Sequence, residues 1–407
     1  MKMYSEIEKI GPQQLSDGSS LEEIKKNYEK LLGTRYESLD QFVDGSDELL
    51  FIVNDAKRGT PTITILRSID EYLLDNSIDL SDREFSFIIA TGSHESPTRE
   101  EIEEILGPYS EDSEILVHRA RDGHHDRIGV TEKGTPLNID ERIEGREKII
   151  NINSVEPHYF AGYTGGRKSL LPGICNWKTI EKNHELALQE KSKYLSLSEN
   201  PVHLDMLDGC QKIIDFLDAE ILSVNSVATS KKVLEVRAGD FFATFDFLVP
   251  KAKQVFTGKV DREADIVIAR VGSPADKNLY QSLKGFEAGK LICREGGILI
   301  LISKCSQGTG PKEFYEILKS SEDPDEIIEK VEKNYTLGAH KSTNLLNFLK
   351  NHDMYIVSDL DDDIVKNSFC KPFDNVEEAL KKAHNHVNRD SPKILEIEKA
   401  HEFVPHI

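Results

Sequence analysis

The residues of this chain that are equipped for catalysis fall in four places. Asp55 and Arg58 lie in the loop DAKRGTP, which glycine and proline bound. His94 ends the string TGSH. The stretch EPHYFAGYTGGRKSLLPGICNWKTIEKNH, residues 156–184, contributes His158, the pair Arg167 and Lys168 after Gly165-Gly166, and His184. Gln281 and Lys284 belong to NLYQSLKG. Imidazole titrates near neutral pH, which makes His94 and His158 candidate acid/base groups. Arg58 and Lys284 are cations suited to a carboxylate or phosphate, one as a planar fork and the other as a point charge. One helical turn separates Gln281 from Lys284, so on a helix they share a face and can converge on one anion. Lys168 beside a Gly-Gly turn is either a phosphate-binding lysine or a covalent attachment point through its amine. The plain alternative is a glycine-rich surface loop with an incidental lysine. The spacing G-G-R-K-S lacks the four residues that a Walker A loop places between its glycines, which disfavours nucleotide triphosphatase chemistry.

The elements around these residues read as α/β. LLFIV (49–53) is a buried strand, and a helix TITILRSIDEYLLD follows with Pro61 at its entry. FSFIIA (85–90) is a second strand, and TREEIEEIL a helix with a capping-box pattern, Thr98 with Glu101, before Gly107. EKIININSV (147–155) is a third strand and leads straight into the 156–184 stretch. Asp55, Arg58, His94 and His158 therefore all follow strands, where α/β domains carry their sites. Residues 119–145 are polar and turn-rich, a loop or hairpin. His124-His125-Asp126 within them reads as exposed loop rather than a metal site. Residues 201–217 are helical, and the stretch to about 258 is mixed. A second α/β alternation runs from ADIVIARVG (264–272) through helices and the strands GGILILIS (296–303) and MYIVSD (354–359) to a helix near 376–386. The acidic string DLDDD at 359–363 reads as a solvated turn.

Length and charge bound the rest. A chain of 407 residues is too long for one core, so two domains are expected, 1–258 and 259–407, with the last helix packing back on the first. A net charge of −21 excludes nucleic acid and anionic membrane as main partners, but not a small anion met by local cations. Five scattered cysteines with no metal spacing read as free thiols in a reducing compartment. With no apolar signal core and no run of membrane-spanning length, a cytoplasmic protein is expected.

EPHYFAGYTGGRKSLLPGI, with a histidine at 184, closely resembles the nickel-pincer-nucleotide-dependent lactate racemase family. DAKR (55–58), TGSH (91–94), TEKGTP (131–136) and NLYQSLK (278–284) extend the resemblance over most of the chain. It implies two α/β domains with the active site in the cleft between them. It implies a pyridinium mononucleotide joined to Lys168 through a thioamide, its nickel held by two cofactor sulfurs, a ring carbon and His184. His94 and His158 map onto the family's proton-transfer histidines. The loop Asp55, Ala56, Lys57 and Arg58 maps onto the cofactor contact, with Arg58 also facing substrate. Tyr280, Gln281 and Lys284 map onto the substrate-binding residues of the second domain. The implied reaction racemises or epimerises a 2-hydroxy acid by moving hydride from C2 to the pyridinium and back, which avoids a carbanion beside a carboxylate. Proteins that synthesise the cofactor would be transient partners. A redox enzyme, a non-catalytic nickel or nucleotide binder, and a Schiff-base lysine enzyme are the competing readings. Lys57 adds a charge able to meet a cofactor phosphate or a larger anionic substrate, which leaves the particular 2-hydroxy acid or sugar acid open.

Overall fold

Short apolar runs ended by polar turns become the strands of two mostly parallel sheets. The computed structural model describes residues 7–12, 18–46, 48–111, 113–229 and 232–407. It divides into one unit of Leu15–Lys253 and another of Gln254–Ile407 with Met1–Gln14.

The sheet of the first unit is built from β1 (Glu48–Asn54), β2 (Glu84–Ala90), β3 (Glu114–Val117), β4 (Lys148–Ser154), β5 (Glu220–Thr229) and β6 (Lys232–Gly239). Its order is β6-β5-β4-β1-β2-β3, parallel throughout except for the antiparallel β5–β6 edge. The helix Thr62–Asp75 and the capped helix Arg99–Leu106 follow β1 and β2. Phe51, Val53, Phe87, Ile89, Ile150, Ile152, Leu222 and Val224 join one buried apolar cluster. Its driving force is the removal of apolar surface from water.

The central strands are polar at alternate positions, and those positions are buried too. Side chains on a strand alternate between faces, so Ile150 and Ile152 point one way and Asn151 and Asn153 the other. Asn151 pairs in register with Ser223, and Asn153 with Asn225. All four are at most 1% exposed. Buried amides are costly unless hydrogen-bonded, and these are. Asn153 Nδ2 donates to Asn151 Oδ1 at 2.8 Å, and Asn151 Nδ2 to the Gly166 carbonyl at 3.2 Å. Asn225 Oδ1 accepts the Gly166 N–H at 3.0 Å, while its Nδ2 donates to Ser223 Oγ and Thr244 Oγ1.

In the second unit β7 (Ala264–Arg270), β8 (Cys293–Ile302), β9 (Asp353–Val357), β10 (Lys371–Phe373) and β11 (Ile394–Ile397) join the strand Glu8–Ile10. The order Glu8–Ile10, β11, β7, β8, β9, β10 is wholly parallel. The expected division at 258 assigned the N-terminal residues to the first domain. The strand Glu8–Ile10 instead extends this second sheet, and Ile10 packs on its core. The helix Val376–Val387 was expected to reach back to the first domain. Its buried face, Ala379, Leu380 and Ala383, lies against Ile266, Ile298, Ile300 and Tyr355 of its own unit. The stretch 219–258, read only as mixed, is the β5–β6 pair and the helix Ala243–Phe256.

Asn225→Leu leaves the Gly166 N–H and the Thr244 hydroxyl without their amide partner. A loss of roughly 2–3 kcal/mol is expected from urea unfolding.

Candidate active site

Three neighbouring strands end at one edge of the first unit's sheet. β1 and β2 are level at Asn54 and Ala90, and β4 lies in register with β1 through Val53 and Ile152. The loops that leave them carry Asp55 and Arg58, His94, and His158. In the first loop the Arg58 N–H donates to the Asp55 carbonyl at 3.1 Å and closes a turn. In the second, the His94 N–H donates to the Thr91 carbonyl at 3.0 Å, and the Gly92 N–H reaches the Gly173 carbonyl at 2.9 Å. The His94 turn is thereby fastened to the segment that carries Lys168. Asn54, Thr60, Ser154 and Glu156 link the first and third loops by side-chain hydrogen bonds of 2.8, 2.9 and 3.1 Å.

His94 Nδ1 lies 2.6 Å from Asp55 Oδ2. Burial works to raise the Asp55 pKa, but His94, Arg58 and Lys57 together bring it below the ordinary carboxylate value. Burial also dominates at His94 and lowers its pKa, with Asp55 opposing and Arg58 and Lys57 adding to the fall. An ionised carboxylate only accepts, so Nδ1 carries the ring proton and Nε2 keeps its lone pair. Such a carboxylate-oriented imidazole has the makings of a general base.

The 156–184 stretch is wrapped, not loose. Two-residue strands, Pro157–His158 and Gly162–Tyr163, pair antiparallel, and a single helical turn, Arg167–Leu170, follows. Gly165 has φ +105° and a Cβ there would stand 2.8 Å from Val155, so only glycine fits. Arg167 is 2% exposed and spans the inside of the loop, donating to the carbonyls of Ala161 and Tyr163 at 3.0 and 2.8 Å. Burial pulls its pKa down to about 10. Read in sequence as half of a cationic pair, Arg167 is a structural strut. Lys168 is 8% exposed, its Nζ 3.2 Å from His158 Nε2. His158 Nδ1 accepts the Ala161 N–H at 3.3 Å. His184 lies in α1 (Trp177–Glu185), where Asn176 caps the first turn.

Phe160 gathers these groups. Its ring centroid is 4.5 Å from that of His158, 4.9 Å from that of His184 and 5.4 Å from Lys168 Nζ. Ala56 and Arg58 are half-buried and Lys57 is exposed. His125, expected in an exposed loop, begins the hairpin strand His125–Val130, half-buried with Nδ1 2.9 Å from the Gly123 carbonyl. Among the described residues no group of three His, Cys, Asp or Glu side chains is placed to hold a metal. All five cysteines are buried free thiols.

In the second unit, α2 (Leu279–Gly289) presents Tyr280, Gln281 and Lys284, all half-buried, with the Asn278 side chain capping the Gln281 N–H. Lys341, which sequence reading passed over, stands beside them in α3 (Ala339–Leu349). It is 3% exposed, donates to the Tyr280 carbonyl at 2.6 Å and lies 3.8 Å from that ring's centroid. Burial, with the charge of Lys284, brings its pKa down to about 7 against the opposing Glu287. Asn151, Asn153 and Asn225 were also missed. The alternation in IININS was the available signal, since polar residues at every second position of a central strand demand buried partners.

Residues 5–195 match the family model for the lactate racemase N-terminal domain, and 260–400 the model for the lactate racemase C-terminal domain. A lactate racemase of Thermoanaerobacterium thermosaccharolyticum is 30% identical over 385 residues, 90% of this chain and 86% of the relative. One from Lactiplantibacillus plantarum is 28% identical over 380 residues with the same coverage. The solved lactate racemase apoprotein of T. thermosaccharolyticum superposes with a TM-score of 0.88 at 28% identity, over 100% of this chain and 95% of that one. A Thermotoga maritima protein shares the fold, with a TM-score of 0.74 at 16% identity over 96% and 99% of the two chains.

Gly162 has φ +77°, and a Cβ there would meet the Ser196 carbonyl oxygen at 2.1 Å. Gly162→Ala is expected to cost at least about 2 kcal/mol in denaturant unfolding, from left-handed strain plus the clash.

Proposed function

This chain belongs to the lactate racemase family, isomerases of a hydroxy acid, and from that premise we propose that it inverts C2 of a 2-hydroxy acid by hydride transfer. The observation that carries the reading is the gathering of Lys168, His158 and His184 around Phe160. The donor set fits a group that brings most of its own metal ligands: one amine aimed at an imidazole, one further imidazole, and no three-residue ligand cluster among the described residues. Lys168 would hold a nickel-pincer nucleotide covalently, His184 would ligate its nickel, and Asp55, Ala56, Lys57 and Arg58 would line it. When bound, that group supplies an electrophilic pyridinium as hydride acceptor.

The chain's own residues manage charge and protons. Arg58 is assigned to the substrate carboxylate while the planar keto acid presents its other face, and Tyr280, Gln281 and Lys284 of α2 are assigned to substrate binding. The hydroxyl proton must leave as hydride leaves, and the two histidines are prepared differently for that. His94 offers a lone pair at Nε2, its Nδ1–H fixed by Asp55. His158 meets the Ala161 N–H at Nδ1 and the Lys168 amine at Nε2. One takes the proton and the other returns one, and the roles exchange for the opposite enantiomer. Each transfer contributes on the order of 10²–10⁴-fold. A nickel or nucleotide binder without chemistry would need neither the Asp55–His94 pair nor His158. We assign the work to the cytoplasm, with cofactor-synthesis proteins as transient partners. No helix among the described residues is long and apolar enough to cross a membrane.

Racemisation of a C2-deuterated 2-hydroxy acid in ordinary water is expected to retain the label. Washout of deuterium at the rate of inversion would contradict hydride return. His94→Ala and His158→Ala should each abolish inversion and leave the modification of Lys168 in place, read by peptide mass. Asp55 raises the proton affinity of His94, so Asp55→Asn should lower it. The acid limb of the pH–rate profile, where His94 becomes protonated, then moves to lower pH. The plateau rate should fall on the order of 10²-fold as the ring loses its orienting carboxylate.

A further inference from the structure

His118 has no place in the chemistry above, yet it touches both arms of the site. It follows β3, is 1% exposed, and its N–H donates to the Ile89 carbonyl at 3.2 Å. Its ring lies between two acceptors. Nε2 is 3.0 Å from the Cys175 carbonyl and Nδ1 3.2 Å from Asp140 Oδ2. Burial opposes ionisation of Asp140, but Arg142, donating at 2.8 and 2.7 Å to its two oxygens, and His118 hold that carboxyl far below the usual range. The ring thus bridges the Cys175 carbonyl and the Asp140 carboxylate.

Two of its hydrogen bonds lead toward residues of the proposed site. Cys175 bridges to Ile139 and precedes Asn176, the N-cap of α1, whose N–H donates to the Asn138 carbonyl at 2.9 Å. α1 carries His184. On the main-chain side, the His118 carbonyl accepts the Thr91 hydroxyl at 2.8 Å. Thr91 in turn accepts the N–H of His94. A helix is a stiff lever, so the anchor at its first turn sets where a side chain two turns on will stand.

We propose that His118 is a positioning residue that locks the His184 helix to the His94 turn, its ring holding the Cys175 carbonyl and its own carbonyl holding Thr91. The inference rests on the roles proposed for His94 and His184.

The two arms can be tested separately on enzyme produced with the cofactor-synthesis proteins. The readouts are nickel release into a chelator, and kcat and KM for racemisation. A glutamine amide nitrogen reaches close to the place of Nε2, an asparagine nitrogen to that of Nδ1. His118→Asn should release nickel roughly 10–100-fold faster than the parent, and His118→Gln within about twofold of it. Thr91→Val should lower kcat about tenfold with KM and nickel release unchanged, and Thr91→Ser should restore it. Parent-like nickel release from folded His118→Asn, or parent-like kcat in Thr91→Val, overturns the inference. Should His118→Asn fail to fold, the Thr91 pair decides. A parent enzyme that takes up no nickel overturns the reading beneath it, a result distinct from both.

Discussion

A ladder of buried amides holds this site together. Asn151, Asn153 and Asn225 occupy the centre of a parallel sheet, where apolar side chains are the rule; Asn153 bonds to Asn151, and Asn151 and Asn225 both bond to Gly166. Ser169 Oγ adds a bond of 2.9 Å to Asn153 Oδ1. The segment that carries Lys168 is therefore fixed at both ends of its helical turn by the sheet itself. A glycine-rich stretch would ordinarily be mobile. Here its polar backbone is satisfied from below by the amides and from within by Arg167, and it can hold a reactive amine at one place. An apolar sheet face would give more burial but no register for the turn.

From that anchor the remaining groups are placed by short connections. The Gly92–Gly173 hydrogen bond draws the His94 turn to the same segment, and the chain of Asn54, Thr60, Ser154 and Glu156 draws the Asp55 loop to it. Rigid placement matters to the proposed hydride and proton transfers, because a displacement of about 1 Å can cost on the order of 10²-fold in rate. The two histidines meet different neighbours. Asp55 orients His94 through Nδ1, while His158 meets the Ala161 N–H at Nδ1 and the Lys168 amine at Nε2.

Much of this was legible in the sequence. Apolar runs such as LLFIV and FSFIIA mark their strands because they are continuous, and Thr98 with Glu101 marks a helix start because its capping bonds are local. Asp55, His94 and His158 were legible as candidates because they follow strand ends. What escaped depended on contacts distant in sequence. The strand Glu8–Ile10 joins a sheet whose partner strand lies at residues 394–397, and nothing local records that pairing. The role of Arg167, read only as half of a cationic pair, escaped because its partners, the carbonyls of Ala161 and Tyr163, come within reach only when the loop closes. Lys341 and His118 stood in unremarkable strings, and only burial gives them meaning.

Lys168, which lies beside His158 and the same aromatic ring as His184, is the proposed attachment point of the cofactor. Peptide mass mapping of active protein made with the cofactor-synthesis proteins, together with its nickel content, tests this most directly. A single adduct on the peptide containing Lys168 and stoichiometric nickel are expected. Protein that racemises its substrate with Lys168 unmodified and no nickel would contradict it.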